Sequence, residues 1–337
     1  MSRLPRLDFP GQFYHVIVRG VNKYAIFRTG SDKSDFLGRL AQNLTSTGSL
    51  CYAWALMTNH LHLLILSGTT GLASLMHPVM TGYVGAFNRR YGRVGHLVQN
   101  RFKAILCDSD VYFQELIRYI HLNPVRAGII KTLNELTHFP WTGHSALMDK
   151  TRLPWQAVDP VLTHFGATAG AARAAYCAYL NEGWTQGHRT EFEGGGLKRS
   201  LRALGLLPNK KERFAYDSRI LGDGAFVEKI LAQADKREQD RSDFRSRRLS
   251  IETLERLASS TTAIESFLLR TNDRSQAVAK ARALFVYAAT EWCDYRSADI
   301  ARRLGITSGG VSLARRRGRI LAQEHAFREK LLAIHRQ

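Results

Sequence analysis

The segment His60–Leu66 is the part of this chain that most restricts its fold. It contains two histidines, His60 and His62, among five aliphatic residues. In a β-strand, residues two apart point to the same face, so the two imidazoles share one face while aliphatic residues fill the other. A strand that is apolar on both faces lies centrally in a sheet, where an imidazole without a partner is costly. The pattern predicts a central strand whose histidines are partnered, either by ordinary hydrogen bonds or by a metal ion.

A second polar pair stands at the end of a predicted helix. Tyr119 and Asn123 are four residues apart and share one side of that helix, which stops near Pro124. Two imidazoles, an amide oxygen and a phenol can hold a divalent metal beside a nucleophile, and these mixed donors suit Mg²⁺ or Mn²⁺. A phenol, with a pKa of about 10, needs such help to attack at neutral pH. The plainer interpretation of Asn123 is a helix C-cap, and the pattern leaves both open.

Positive charge dominates the composition. Lys and Arg number 48 against 29 Asp and Glu, which gives a formal net charge of +19. An excess of this size favours a polyanion, and nucleic acid is favoured over an anionic membrane surface or a merely solvated basic surface. The segment 88–103 mixes cations with Tyr, His and Phe, which suits phosphate contacts and base stacking. Its predicted DNA-contacting residues are Arg89, Arg90, Arg93, Arg101 and Lys103.

The cysteines indicate the compartment. Cys51, Cys107, Cys177 and Cys293 are scattered and form no CxxC pair. This spacing favours neither a zinc ribbon nor a disulfide framework and is typical of a reducing cytoplasm. The first residues lack the apolar run of a signal peptide, and no stretch of sequence is long enough to span a bilayer. We therefore expect a cytoplasmic protein without a membrane partner.

Apolar periodicity predicts an α+β fold for the first part of the chain. The element order is strand, helix, strand, strand, helix, strand, helix, which indicates helices packed on a small, mostly antiparallel sheet. Ser31 or Asp32 is the expected cap of the first helix. The predicted strands are 13–19, 50–57, 60–66 and 102–106, and the predicted helices are 31–47, 72–91 and one from Asp108 or Ser109 to near Pro124.

The character changes after Trp141. Residues 159–183 and 220–236 predict helices, separated by a linker that contains Gly194–Gly196, and 237–248 is a charged stretch that is solvated or faces DNA. A helix predicted at 275–291 leads into a helix-turn-helix pattern at 297–317, with Gly305 at the turn. A structural helical hairpin is the alternative. The residues expected on or beside a DNA-recognition helix are Ser308, Ser312, Arg315, Arg316 and Arg319.

Several ordered motifs together resemble the single-tyrosine HUH transposases, and most closely the REP-associated tyrosine transposases. The resemblance covers roughly residues 6–145. It rests on Tyr14-His15-Val16 followed by Arg19-Gly20 and Ile26-Phe27, on Met57 to His62, on Asn88 to Lys103, and on Tyr119 to Gly128. The sequence Met57-Thr58-Asn59 departs from the more usual Met-Pro-Asn, which affects the turn more than the chemistry.

The resemblance implies a fold, a reaction and a role for each matching residue. His60 and His62 match the HUH histidines, Tyr119 matches the nucleophile, and Asn123 matches the third metal ligand. The implied fold is a ferredoxin-like sheet. The implied activity is metal-dependent cleavage and rejoining of single-stranded DNA, often at hairpin repeats, through a 5′-phosphotyrosine and a free 3′-hydroxyl. The helix-turn-helix, found in some longer members, would read duplex DNA, and the setting would be the bacterial cytoplasm at the nucleoid.

We predict three parts: a catalytic domain at 1–147, a helical middle region at 148–270, and a helix-turn-helix domain at 271–337. Two other functions stay open, namely a DNA-binding regulator with an inactive nuclease domain and a hydrolase that uses activated water. A monomer and a homodimer are both compatible with the sequence. His15 and His121 stay without an assigned role: a core position in its strand is one option for His15, and on a helix His121 would point away from Tyr119.

Overall fold

The computed structural model describes residues 6–99, 101–185, 217–246, 249–324 and 326–335. By its contacts the chain divides into two compact units, Met1–Ile230 and Leu231–Gln337. The predicted linker glycines Gly194–Gly196 lie outside the described residues, as does Asn100 of the basic segment. The predicted α+β class is confirmed, because the first unit combines a sheet with packed helices.

A five-stranded sheet lies at the centre of the first unit. Its spatial order is β2-β3-β1-β4-β5, and the first four of these strands pair antiparallel. The strand that contains the two histidines is therefore flanked on both sides, and its middle five residues are buried, which confirms the predicted central strand. The strands are β1 (Phe13–Arg19), β2 (Leu50–Leu56), β3 (His60–Leu66), β4 (Lys103–Cys107) and β5 (Ile220–Leu221).

The last strand corrects the prediction for its region. A helix was expected from Ile220, but Ile220 and Leu221 pair in parallel with Leu106 and Cys107. The outer edge of β4 explains the difference. The N–H of Leu106 donates to the carbonyl of Arg219 at 2.8 Å. The strand pairing thus gives hydrogen-bond partners to backbone groups at the edge of β4, which a helix starting at Ile220 would not do. The sheet is therefore mixed rather than wholly antiparallel.

Helices cover this sheet. α1 packs on α2, and α3 packs on β2 and β3. Side chains of α3 share a core with Ile17, Leu64 and Ile105, which lie on the same sheet face as His62. The helices of the first unit are α1 (Gly30–Thr47), α2 (Leu72–Arg90), α3 (Ser109–His121), α4 (Asn123–Arg126), α5 (Leu133–His138), α6 (His144–Leu147), α7 (Val158–Leu162) and α8 (Ala169–Glu182).

The start of α1 differs from the predicted cap. Thr29 is the N-cap, since its hydroxyl accepts from the N–H of Asp32 at 3.3 Å and the Asp32 carboxylate accepts from the N–H of Thr29 at 3.1 Å. The buried Asp32 also accepts from the Tyr91 hydroxyl at 2.8 Å and pairs with Arg90. Burial alone would raise the pKa of Asp32, but bonds from the Arg28 N–H, Tyr91 and Arg90 outweigh it and lower the pKa. This carboxylate joins the start of α1 to the end of α2.

The core of the first unit continues beyond residue 147. Val161, Tyr176 and Leu180 belong to the same buried cluster as Tyr119. The helix predicted at 159–183 is divided into α7 and α8, and Thr168 caps α8 by accepting from the N–H of Ala171. The two compact units meet after Ile230 in the sequence. The predicted ends of the catalytic domain at 147 and of the middle region at 270 stay predictions.

The second unit is helical. One tight contact is made by Gly318, where an added Cβ would lie 1.9 Å from the carbonyl oxygen of Ala283, so two helix backbones approach closely there. Within the described ranges, no helix combines the length and apolar character that a membrane crossing needs. The helices are α9 (Gly224–Ser246), which crosses the division, α10 (Ile251–Thr261), α11 (Gln276–Tyr287), α12 (Ser297–Leu304), α13 (Ser308–Glu324) and α14 (Phe327–His335).

Candidate active site

The antiparallel register positions the two predicted histidines. His60 pairs with Arg19 and His62 pairs with Ile17, so both lie at the end of the sheet where β1 stops. On the other side, His62 pairs with Ala55 of β2. Their ring centroids are 5.3 Å apart and their ring planes are at 87°. The structure brings these two imidazoles together on one face.

A third histidine, His15, joins this group. Its Nε2 atom lies 2.9 Å from Nδ1 of His62 in a buried hydrogen bond, and the two rings stack with centroids 5.1 Å apart. The sequence leaves His15 without an assigned role and does not predict this contact. The signal lies in the register, because Ile17 faces His62 and a residue two positions earlier is its diagonal neighbour on the same face.

Asn59 fixes the orientation of His60. The Asn59 side-chain oxygen lies 2.7 Å from Nδ1 of His60, and its amide nitrogen donates to the carbonyl of Lys23 at 3.0 Å. An amide oxygen only accepts, so Nδ1 of His60 donates. In the neutral imidazole the lone pair is then on Nε2, which is the tautomer that a metal ligand of this kind needs.

Tyr119 lies against the histidines from α3. Its ring meets the His62 ring edge-on with centroids 5.7 Å apart, and it meets the His15 ring in the same way at 5.8 Å. The side chain is only 2% exposed. The predicted nucleophile and the predicted HUH histidines are therefore neighbours in one buried pocket of side chains.

Two donors hold the end of the helix that carries Tyr119. The carbonyl of Tyr119 accepts from the Asn123 amide at 2.9 Å and from the Arg126 guanidinium at 2.7 Å. The Arg126 guanidinium carbon also lies 4.8 Å from the centroid of the Tyr119 ring, within cation–π range. Asn123 and Arg126 thus hold the backbone of Tyr119, and Arg126 also contacts its ring.

Asn123 shows the contacts of a helix-end residue. Its amide nitrogen donates to the carbonyls of Tyr119 and Ile120. Because the amide group is planar, an amide nitrogen directed at these carbonyls directs Oδ1 to the opposite edge of the side chain. The described contacts neither use Asn123 as a ligand nor place its oxygen against the histidines, and the ligand role stays a prediction.

The electrostatics of the pocket keep His62 neutral. Burial lowers the pKa of His62 well below its usual range, and the nearby His15, His60, Arg19 and Arg126 lower it further. A neutral imidazole retains a lone pair, so His62 is suited to bind a metal ion at neutral pH.

The basic segment lies beside the end of β1. The N–H of Gln99 donates to the carbonyl of Arg19 at 2.7 Å, and Val98 pairs with Gly20 in an isolated antiparallel bridge. Since Arg19 pairs with His60 on its other side, the segment is about two strand spacings, roughly 10 Å, from His60. The chain thus places its predicted DNA-contacting segment next to the histidine edge.

The predicted contact residues of this segment differ in their surroundings. Arg89, Arg101 and Lys103 are exposed, and Arg93 is half-buried. Arg90 forms an ion pair with the buried Asp32, so part of its charge is used within the fold. No described contact tests their binding to DNA.

The predicted recognition helix is α13. Gly305 adopts a left-handed conformation with φ of 62° between α12 and α13, which gives the short turn that the sequence predicts. Ser308, Ser312 and Arg316 are exposed. Arg315 and Arg319 instead lie 3.8 and 3.3 Å from the carboxylate of Glu291 in ion pairs.

A second buried polar cluster includes His121, two residues after Tyr119. The Tyr176 hydroxyl lies 2.7 Å from Nδ1 of His121 and 3.1 Å from Nδ1 of His144. Burial lowers the pKa of His144 to about 4, and burial together with His144 lowers the pKa of His121 well below its usual range. His121 points away from the active-site pocket, as predicted, and the cluster joins α3, α6 and α8.

The predicted metal ligands are chemically suited to a divalent cation. His60 presents a lone pair on Nε2, and His62 does so when its Nδ1 donates to His15. In the described part of the chain, no group of three or more His, Cys, Asp or Glu residues could hold a metal ion. The set of two imidazoles and the Asn123 amide is of a different kind, because one of its donors is an amide.

Comparison with known proteins gives little beyond this geometry. No protein-family model matches the chain, and no curated protein matches it. Among solved structures, a REP-associated tyrosine transposase bound to a REP hairpin is similar over 46% of this chain and 97% of its own chain, at 15% sequence identity and a TM-score of 0.38.

Proposed function

We propose that this protein is a transposase-like, metal-dependent DNA strand transferase with Tyr119 as its nucleophile. The observation that carries the proposal is the edge-on packing of the Tyr119 ring against His62, with His60 beside it. A buried phenol next to the neutral imidazole of His62, with the imidazole of His60 beside it, joins a nucleophile to metal-ligand chemistry in one place.

The reaction is a transesterification. The Tyr119 oxygen forms a bond to the phosphorus of a DNA phosphodiester while the bond from phosphorus to the 3′ oxygen breaks. The phenol loses its proton and the 3′ oxygen gains one, which leaves a 5′-phosphotyrosine and a free 3′-hydroxyl. One ester bond replaces another, so the 3′-hydroxyl can reverse the step and rejoin strands without another energy source.

The residues that would hold the metal are His60, His62 and Asn123, and Mg²⁺ or Mn²⁺ suits their mixed donors. When bound, such an ion polarises the phosphate and stabilises the charge that develops on it. His15 and Asn59 orient the two imidazoles, and Arg126 holds the backbone and ring of Tyr119 in place.

The proposed substrate is single-stranded DNA with hairpin structure. The basic segment with Arg89, Arg93 and Arg101 supports phosphate contacts at the histidine edge. The order β2-β3-β1-β4 supports a ferredoxin-like arrangement of the catalytic region. The exposed face of α13 supports duplex reading by a helix-turn-helix, with Ser312 and Arg316 as contacts.

A covalent-adduct assay tests this function. A labelled single-stranded oligonucleotide library with hairpins should give a protein–DNA adduct on a denaturing gel in Mg²⁺ or Mn²⁺. Tyr119→Phe should abolish the adduct and keep DNA binding, because only the nucleophilic oxygen is lost. Tyr112→Phe removes a phenol oxygen from the same helix and should give normal yield.

The outcomes separate the candidate functions. A normal adduct with Tyr119→Phe overturns the assignment of the nucleophile. Nicked DNA without an adduct indicates a hydrolase that uses water. DNA binding with neither product indicates a regulator.

A further inference from the structure

A turn between β1 and α1 carries an exposed aromatic residue close to His60. Tyr24 is 62% exposed, and Lys23 beside it is also exposed. The other large aromatic side chains described in the first unit are buried or half-buried, so this exposed ring is unusual among them.

The turn is closely built. Gly20 has no room for a side chain, since a Cβ there would lie 2.1 Å from the carbonyl oxygen of Tyr24. The N–H of Lys23 donates to the Gly20 carbonyl at 3.1 Å, and the N–H of Tyr24 donates to the Val21 carbonyl at 2.9 Å. Asn22 and Lys23 have φ values of 50° and 62°, a strained conformation for two successive residues other than glycine.

Buried neighbours anchor the turn on its far side. The N–H groups of Ile26 and Phe27 both donate to the carbonyl of Thr58, at 2.9 and 3.0 Å, and both side chains are buried. The exposed ring of Tyr24 is therefore presented by a backbone that is fixed at both ends. Because this backbone is already ordered, it loses little conformational freedom when a flat ligand stacks on the ring.

The turn lies between the active-site pocket and the basic segment. The Lys23 carbonyl accepts from Asn59, whose side-chain oxygen bonds His60. On the other side, the N–H of Val21 donates to the carbonyl of Leu97 at 3.1 Å. The stretch 19–28 contributes the cations Arg19, Lys23 and Arg28 and no Asp or Glu.

We propose that Tyr24 and Lys23 form a subsite for one unpaired nucleobase and its phosphate. Tyr24 stacks on the base and Lys23 neutralises the phosphate, because every base has a flat face and every nucleotide carries one charge. The subsite places a nucleotide next to the strand position that reacts at Tyr119, and this placement rests on the proposed function. Stacking on a single ring makes the contact tolerant of base identity.

Binding of a single strand that contains 2-aminopurine tests the subsite. The full-length protein is titrated in EDTA, so that binding is measured without cleavage. The parent protein should quench or shift the 2-aminopurine fluorescence at one position of the strand. Tyr24→Ala should lose that signal and weaken binding about 5-fold or more, whereas Tyr24→Phe should retain both, because the ring and not the hydroxyl stacks.

Two further variants sharpen the measurement. Phe267→Ala removes a ring of the same 62% exposure from the second unit and should bind like the parent. Lys23→Asn removes the charge, and asparagine tolerates the left-handed conformation at this position. The slope of log K against log salt concentration should become smaller by about one, because one phosphate contact is lost. Single-stranded RNA of the same sequence, run in parallel, distinguishes a base contact common to both nucleic acids from one limited to DNA.

Each outcome decides the proposal. Equal binding and fluorescence for Tyr24→Ala and the parent overturns it, as does an equal loss in Phe267→Ala. Loss of signal in Tyr24→Ala together with an absent adduct in the parent keeps the subsite and overturns the strand-transferase function. A lower melting temperature of Tyr24→Phe with normal binding leaves the stacking role supported, since stacking is what the binding reports.

Discussion

At the scale of single residues, the candidate active site depends on neighbours that orient the two histidines. His62 is held by His15, and His60 is held by Asn59. Both contacts use Nδ1, which leaves Nε2 of each ring as the ligating atom when Nδ1 donates. The contacts of both rings are therefore compatible with the tautomers that the proposed metal ligands need.

Replacing either histidine should separate chemistry from binding. We expect His60→Ala or His62→Ala to abolish adduct formation and to weaken Mn²⁺ binding at least about 10-fold, with DNA binding largely retained, because charge on the basic segment supplies affinity. Electron paramagnetic resonance titration of Mn²⁺ and a filter-binding assay measure the two effects. The exposed His77→Ala is the control. Full cleavage in excess chelator would rule out the metal site.

Asn123 offers the sharpest test of a ligand against a helix cap. Asn123→Asp keeps an oxygen donor but loses the amide that donates to the Tyr119 carbonyl, which should cost about 1 kcal/mol of unfolding free energy. As a ligand variant it should still bind Mn²⁺ and cleave DNA, because a carboxylate suits the same cation. Asn123→Ala should have both a lower unfolding free energy and weaker Mn²⁺ binding than the parent. If the Asp variant binds Mn²⁺ no better than the Ala variant, Asn123 is only a cap.

The site residues predicted from sequence are those with a local spacing signal, and the one that was missed is positioned by a contact between distant segments. His60, His62 and Tyr119 were predicted to act together from local spacing and the resemblance, and the structure brings them together. His15 was missed because its contact depends on the pairing of two strands that are distant in sequence. The cap of α1 was misplaced by a few positions because Ser31, Asp32 and Thr29 all have suitable side chains.

At the scale of elements, the His121–Tyr176–His144 cluster holds α3 in place through buried hydrogen bonds. These side chains link the helix that carries Tyr119 to α6 and α8. Sequence periodicity predicted helices in this region. It did not predict the break between α7 and α8 or the strand at Ile220, because both depend on partners elsewhere in the fold.

This cluster should make the first unit sensitive to acid. The pKa of His144 is about 4 in the folded chain against 6.5 for an ordinary histidine, so the unfolded chain binds the proton first as the pH falls. The stabilisation is present above pH 6.5 and is lost between pH 6.5 and 4, and for this group it amounts to about 3 kcal/mol.

Urea unfolding between pH 7.5 and 4 measures this loss. His144→Gln should have a smaller dependence of unfolding free energy on pH than the parent, since the shifted group is gone. The exposed His77→Gln should keep the dependence of the parent. An unchanged dependence in His144→Gln would show that His144 is not the group responsible.

At the scale of the whole molecule, the chain combines two units with separate cores. Leu254, Leu257 and Ala258 of α10 are buried with Leu284 and Leu304, so the predicted helix-turn-helix shares its core with residues before 271. Deleting the chain after Arg274 would expose these side chains. A surface substitution is therefore the cleaner test of duplex reading.

Arg316→Ala should weaken binding to hairpin or duplex DNA about 5-fold or more and leave plain single strands nearly unaffected. The reason is that an arginine contact to a base edge contributes about 1–3 kcal/mol, whereas the first unit is the one proposed to handle unpaired DNA. Fluorescence anisotropy with matched hairpin and unpaired oligonucleotides measures both affinities. Arg256→Ala, an exposed arginine on α10, is the control. Equal loss on the two substrates would indicate a structural helical hairpin.

The position of β1 in the sheet has a consequence for how the protein matures. β1 is made first, yet both of its neighbours, β3 and β4, come from much later in the chain, and α3 comes later still. Pairing across such distances is slow, since a long loop must close before its contacts form. His15, His62 and Tyr119 therefore meet only after the chain has been synthesised beyond Tyr119, about halfway along the first unit. A chain shorter than this has no assembled site, so the proposed strand-transfer chemistry would begin only once α3 has packed on the sheet.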